Sequence, residues 1–319
     1  MKKVAVIEGG YSSEKAISIK SAKTVFDNLD RTKFSPTRVL IDENEWTAYD
    51  EDGRYLIDKN DFSFIKNSKK NIFDYAFIVI HGTPGEDGKL QGYLDMIGIP
   101  YNTSSPAVMS LTFQKFHCNQ FLKNFGINTP EATTIKSEDV INERQIIDKV
   151  KLPCFVKPTD GGSSFGITKV KKENELSPAI KKAFKYGTEL VIEENISGRE
   201  VTCGVYRDIE VIKALPITEI ISENEYFDYD AKYNGKSQEI TPADLDEQMT
   251  TNIKDLTKEI YDILAMRGIA RMDYIINKEG APYLIEINSV PGMSKESIIP
   301  QMIKTSNKQK EDLLNKIIL

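Results

Sequence analysis

The sequence predicts an α/β fold built in three units, and three observations carry that expectation. Strand and helix patterns alternate through the first hundred residues, the signature of βα units that form a parallel sheet covered by helices. The alternation breaks near Thr103 and a second unit starts, with a glycine-rich segment after its strand at Cys154–Lys157. From about Asn195 a third unit runs through strands, a polar loop and a long helix to two apolar runs between Arg271 and Asn288. The expected boundaries are 1–103, 104–194 and 195–319. A chain of 319 residues accommodates two or three domains at roughly 100–200 residues each.

In the first unit, Lys3 to Glu8 reads as a strand and Gly9-Gly10-Tyr11-Ser12-Ser13 as a loop. A helix follows, with Ile19, Ala22, Val25, Phe26 and Leu29 on one stripe. Val39–Asp42 and Tyr75–Ile80 are further strands, and helix returns around Leu90 to Ile97. The double glycine lacks the G-x-G-x-x-G spacing, so it does not indicate a dinucleotide site. The second unit holds a helix at Gln114–Asn124, strands at Cys154–Lys157 and Leu190–Glu194, and a helix at Glu175–Lys185. The third has strands around Thr202 and Ile217, then a lid-like loop expected over 222–240. Its long helix repeats Leu245, Met249, Ile253, Leu256, Ile260 and Leu264 at intervals of three and four. A helical tail starts near Ser297.

Composition excludes several classes. A hydrophobic fraction of 40% and a charged fraction of 28% belong to an ordinary globular protein. Net charge is −6, and there is no basic–aromatic tract, which argues against a nucleic-acid binder. Cys118, Cys154 and Cys203 form no CxxC pair, so neither a disulfide framework nor a zinc site is expected. The apolar run of MKKVAVIEGG is too short for a signal peptide, and Tyr75–Ile80 is too short to span a bilayer. A cytoplasmic protein with no membrane partner is the expectation. With only His81 and His117 and no G-x-S-x-G elbow, a Ser-His-Asp hydrolase is not indicated.

The chemistry concentrates in RMDYIINKEGAPYLIEIN, residues 271–288. Two apolar runs flank Asn277-Lys278-Glu279-Gly280, a hairpin pattern. A hairpin symmetric about the Glu279/Gly280 bond sets Asp273 opposite Glu286 and Arg271 opposite Asn288, all on one face. Paired carboxylates repel, and these hard oxygen donors suit Mg²⁺ carrying substrate phosphates. Arginine beside them can stabilise a transferring phosphoryl group or an oxyanion. A solvated hairpin face is the alternative, because a bulge would scramble the register.

Three further segments fit that chemistry. Lys157 stands in FVKPTDGGSSFG, where glycine-rich backbone can cradle phosphate. It is no Walker A motif, and a surface turn is the alternative. HGTPGEDGKLQG (81–92) follows a strand end, the usual ligand position in open α/β sheets, so His81 faces a pocket or serves as a structural hydrogen-bonding residue. Tyr226-Phe227-Asp228-Tyr229-Asp230-Ala231-Lys232-Tyr233 reads as a lid whose lysine reaches a terminal phosphate, or as a surface loop.

Together these segments resemble the D-alanine–D-alanine ligase family of the ATP-grasp superfamily, over nearly the whole chain. HGTPGEDGKLQG matches the family's N-terminal signature, and RMD (271–273) with EINSVPGMS (286–294) resembles its C-terminal one. Met272 and Tyr274 depart from it at positions expected to point into the fold. The resemblance implies an ATP-grasp architecture, with two α+β domains sandwiching ATP behind the N-terminal domain. It implies Lys115 and Lys157 on the α- and β-phosphates, and Lys232 on the γ-phosphate. Glu193, Glu194, Asn195 and Ile196 would line the adenine site, with Glu200 on the ribose. Glu194 and Asn195 stand where some members carry basic and aromatic residues. Asp273, Glu286 and Asn288 would hold two Mg²⁺ ions, with Mn²⁺ able to substitute. Arg271 and the Gly292 N–H would form the oxyanion hole. Glu14 would receive the first D-alanine's ammonium, and Ser297 the second's carboxylate, with His81 and Ile298 also in the substrate site. Ser163 and Tyr233 would link to Glu14 and close the lid.

The implied activity is ATP-dependent ligation of two D-alanines through D-alanyl phosphate, for peptidoglycan synthesis, by a homodimer. Tyr233 points to dipeptide rather than D-alanyl-D-lactate. The alternatives are an ATP-grasp ligase of other substrate preference and a nucleotide-binding regulator without turnover. The intact Arg271, Asp273, Glu286 and Asn288 set argues against the regulator.

Overall fold

The computed structural model describes residues 1–159, 166–222, 237–306 and 310–318. Among them the chain forms three sheets. The first joins β1 (Lys2–Gly9), β2 (Phe34–Ile41), β3 (Trp46–Asp50), β4 (Gly53–Asp58), β5 (Ser63–Lys66), β6 (Lys69–Asn71) and β7 (Tyr75–Ile78) in the order β6-β5-β4-β3-β2-β1-β7. Only β2-β1-β7 is parallel. The other strands extend the sheet as an antiparallel meander, so the expected parallel sheet is a mixed one. Apolar residues are sparse there and Leu56 and Ile65 point outward, which hides the strands from a search for apolar runs. The Asp52-Gly53 pair was the available turn signal.

Helix α1 (Lys15–Asn28) covers one sheet face and α2 (Lys89–Met96) follows the third parallel strand. Between β1 and α1 the double glycine adopts φ of +98° and +91°. A Cβ on Gly9 would sit 2.4 Å from the Ile41 carbonyl oxygen, so only glycine lets the chain turn so tightly past β2.

The second sheet runs β10 (Thr168–Val170), β9 (Cys154–Pro158), β11 (Glu189–Glu194), β8 (Ala132–Lys136), all antiparallel. Helices α3 (Pro106–Phe113) and α4 (Lys115–Lys123) precede it, and α5 (Glu143–Val150) and α6 (Leu176–Ala183) cover one face. Alternation sends Cys154, Val156, Leu190 and Ile192 into that core. Phe155, Lys157 and Glu193 therefore face the other way, toward the cavity described below.

The third sheet runs β15 (Ser237–Ile240), β14 (Thr218–Ser222), β12 (Gly198–Asp208), β16 (Ile269–Asn277), β17 (Pro282–Asn288), with β13 (Val211–Ala214) also paired to β12. Helix α7 (Glu247–Ile263) starts where the Asp246 carboxylate accepts the Met249 N–H at 2.7 Å, an N-cap. Its buried stripe of Ile253, Thr257 and Ile260 packs on Met272 and Tyr274, both fully buried. The Tyr274 hydroxyl meets Thr257 Oγ1 at 3.0 Å. Those two family departures do face the core, and the tyrosine's polar tip has its partner there.

The C-terminal helices α8 (Ile298–Thr305) and α9 (Lys310–Ile318) bind the ends of the chain together. Ile298, Ile299, Met302, Leu313 and Ile318 share one cluster with Val4, Val6, Val25 and Phe77 of the first sheet and α1. The first and third sheets thus bury apolar surface against common residues, which fixes the N-terminal loops over the hairpin.

Candidate active site

The hairpin is the centre of the site, and its register contains a surprise. Asp273 pairs with Glu286 and Arg271 with Asn288, as symmetry about Glu279/Gly280 predicts. Nearer the turn, however, Tyr274 pairs with Leu284 and Ile276 with Pro282, one residue out of step. A β-bulge at Ile285 restores the expected pairing. It also explains how Leu284 and Ile287, three residues apart, both enter the core, which a regular strand forbids. Ile285 and Glu286 consequently both line the cavity. The bulge is held from α4 and its following loop: Asn119 Nδ2 donates to the Ile285 carbonyl at 3.2 Å, and the Leu284 N–H donates to Asn128 O at 2.9 Å.

The charges on this face are closely matched. Arg271 lays its fork on Asp273, with Nε to Oδ1 and Nη2 to Oδ2 both 2.9 Å. Thr202 Oγ1 donates to Asp273 Oδ1 at 2.5 Å, and Asn288 Nδ2 donates to Oδ2 at 3.0 Å. Thr202, directly across from Asp273 on β12 and fully buried, was not anticipated. Lys115, in the first turn of α4 and one turn before Asn119, reaches Glu286 at 3.1 Å. Lys157 pairs with Glu193 on the second sheet, both side chains about nine-tenths buried.

These groups wall a cavity of about 560 Å³, within the range of small-molecule sites. Glu193, Glu194, Ile196 and Glu200 line it, with Phe155 and Ile167. Asn195 is not in the wall; its Nδ2 donates to Ser197 Oγ at 2.9 Å. Glu194 turns its carboxylate to the Glu131 N–H at 3.2 Å. Nine carboxylates and four cations line the cavity among the described residues. A polyphosphate entering that wall needs further positive charge, and the donor set Asp273, Glu286 and Asn288 suits hard divalent cations.

The N-terminal loops close the other end. Glu14 stands immediately before α1 and lines the cavity with His81, Glu86, Gly292, Ser297 and Ile298. Ser12 Oγ donates to the His81 carbonyl at 2.7 Å and accepts the Glu14 N–H at 3.2 Å, which ties the two loops. His81 is buried and its Nε2 has no partner among the described residues. Burial pushes its pKa down, opposed by the Glu14 charge, so the ring is neutral. A buried ring nitrogen with no partner, on a residue that lines the cavity, is a candidate contact for substrate.

Glu86 was overlooked, although it lies within the motif HGTPGEDGKLQG. Its carboxylate accepts the Gly82 N–H at 2.7 Å and the Val290 N–H at 3.4 Å, joining the His81 loop to the segment after the hairpin. Desolvation outweighs those hydrogen bonds and lifts its pKa to about 7. The same segment is pinned by Met293 N–H to Ser21 Oγ at 3.1 Å and by Thr112 Oγ1 against Ser289 Oγ at 2.5 Å. Gly292 is thereby set against Ser297, where a Cβ would lie 2.7 Å from Ser297 Oγ. Ser163, Lys232 and Tyr233 lie outside the described residues.

Comparison with known proteins covers nearly the whole chain. Residues 3–104 match the family described as D-ala D-ala ligase N-terminus, and residues 121–319 match D-ala D-ala ligase C-terminus. The chain belongs to the D-alanine–D-alanine ligase family. A relative in Phocaeicola vulgatus, named D-alanine--D-alanine ligase, is 45% identical over 99% of this chain and 98% of its own. The VanG D-Ala:D-Ser ligase of Enterococcus faecalis is 31% identical, with a TM-score of 0.88 over 99% and 98% of the two chains. The D-alanine--D-alanine ligase of Bacillus anthracis complexed with ATP is 28% identical, with a TM-score of 0.80 over 99% and 96%. These ligase-family neighbours show that the fold is the ATP-grasp one expected from the sequence.

Proposed function

We infer that the protein joins two D-alanines at the expense of ATP, giving D-alanyl-D-alanine, ADP and phosphate for peptidoglycan precursor synthesis. The observation that carries this reading is the face formed by Arg271, Asp273, Glu286 and Asn288 beside Lys115, in a chain that matches ligase relatives from end to end. The competing reading as a regulator without turnover has no comparable support.

The chemistry follows from the charges. Joining a carboxylate to an amine in water is uphill, so the carboxylate is first phosphorylated. Both reactants of that step are anions, and unit charges 4 Å apart interact by roughly 4 kcal/mol at an effective dielectric of 20. Lys115 and Lys157 hold the α- and β-phosphates, while Glu193, Glu194 and Ile196 line the adenine pocket and Glu200 takes the ribose. Glu14 and the neutral His81 orient the first D-alanine. Asp273, Glu286 and Asn288 would hold Mg²⁺, which would neutralise the phosphates in this carboxylate-rich wall. Arg271 and the Gly292 N–H receive the oxyanion when the second amine attacks the acyl phosphate; the tetrahedral intermediate then expels phosphate and the attacking nitrogen loses its proton. Ser297 and Ile298 seat the second D-alanine. Lys232, with Ser163 and Tyr233, belongs to the same proposal as the lid that keeps water from the acyl phosphate.

No helix among the described residues is long and apolar enough to cross a membrane, and a cytoplasmic homodimer is part of this proposal. A coupled assay with ATP and Mg²⁺ tests it: phosphate release is expected with D-alanine and not with L-alanine. Release that ignores D-alanine, or requires no divalent cation, would refute it.

A further inference from the structure

A carboxylate not assigned above stands at the substrate end of the cavity. Glu239 lies on edge strand β15, immediately after residues 223–236, and lines the same wall as Arg271, Ser297 and Ile298. Its place on the ligand face follows from register. Glu239 is opposite Ile220, Ile220 is opposite Glu200, and Glu200 is opposite Ile275. Two residues along each of β12, β14 and β16, and therefore on the same face, the next row carries Thr218, Thr202, Asp273 and Glu286.

Its position relative to the acceptor end is fixed by Gln301 of α8. The Gln301 amide nitrogen donates to Glu239 Oε2 at 2.6 Å and to the Glu296 carbonyl at 3.3 Å. One side chain therefore ties Glu239 to the residue just before Ser297, the candidate carboxylate contact of the second D-alanine.

We propose that Glu239, held by Gln301, sets acceptor selectivity by favouring a zwitterionic amino acid over a hydroxy acid anion in the second subsite. This rests on the ligase reading above. A second D-alanine enters with an ammonium and a carboxylate, whereas D-lactate enters with the carboxylate alone. A fixed negative charge at this wall repels the carboxylate of both and attracts only the ammonium. At about 8 Å and an effective dielectric of about 40, one such charge is worth a factor of about five to ten.

The test measures acceptor competition. Purified wild-type protein, E239Q, E239D and Q301A are given ATP, Mg²⁺, labelled D-alanine and a mixture of D-alanine and D-lactate. Product ratio and inhibition by D-lactate are read, together with KM for ATP. E239Q removes the charge but keeps an oxygen for Gln301. It is expected to raise D-lactate use or binding, relative to D-alanine, by about five- to tenfold, with KM for ATP within about twofold. E239D, which keeps the charge, should stay near wild type even where its shorter stem leaves Gln301, and Q301A should shift the ratio less than E239Q. A folded E239Q with an unchanged ratio overturns the proposal. So does a shift in Q301A and E239D with none in E239Q, since that pattern marks a packing role. If wild type shows no D-alanine-dependent phosphate release at all, the ligase reading falls first and takes this proposal with it.

Discussion

Replacing Glu86 by glutamine tests the electrostatics of the loop junction directly. Glu86 titrates near 7 in the folded protein against an ordinary value of 4.5, because its carboxylate is desolvated between the Gly82 and Val290 amides. A carboxyl whose folded pKa is raised stabilises the fold fully below the unfolded pKa and loses that contribution as pH rises through the folded one. The window therefore runs from about pH 4.5 to about pH 7. Between pH 5 and pH 8 the wild-type protein should lose roughly 2–3 kcal/mol from this group. E86Q has no such titration, so the stability of the variant relative to wild type should rise by that amount over the same interval. Urea denaturation followed by the single tryptophan, Trp46 on β3 of the same sheet, reports on this unit. Other titrating groups cancel in the comparison. A difference between the two proteins that stays flat from pH 5 to pH 8 would show that Glu86 is solvated as an ordinary carboxylate, and the argument would fail.

Other substitutions probe the remaining contacts. Lys157→Met leaves Glu193 buried without its cation and should destabilise the protein by about 3–5 kcal/mol, whereas Lys157→Met with Glu193→Leu should recover most of that loss; thermal denaturation of both would decide, and equal melting temperatures would discount the pair. Gly292→Ala drives a methyl against Ser297, so KM for the second D-alanine should rise at least about tenfold with little change in melting temperature; unaltered kinetics would remove Gly292 and Ser297 from the acceptor subsite. Asp273→Asn should lower kcat by at least about 10²-fold while circular dichroism stays native, and full activity in that variant would refute the metal role.

Much of the site was legible because it depends on residue type and short-range period. The oxygen donors of the hairpin, the lysine at the end of β9 and the histidine after β7 were all readable from the strands that carry them. The pairing of Asp273 with Glu286 follows from a symmetric turn, yet the fold reaches it through a bulge at Ile285 that turn symmetry does not specify. Asn195 shows a local contact deciding where a side chain points. Its neighbours Glu194 and Ile196 line the cavity, but a local hydrogen bond to Ser197 holds its side chain outside.

The sequence by itself determined the chemistry that can occur: which strands carry carboxylates, cations and glycines, and which family those motifs belong to. Tertiary structure alone decided which of them meet. Glu86 reaches Val290, Asn119 holds the bulge carbonyl, and Gln301 fixes Glu239 only because sheets distant in sequence bury apolar surface against one another. Alternation and helical period act within an element, whereas these contacts depend on how elements pack, and no local pattern encodes that.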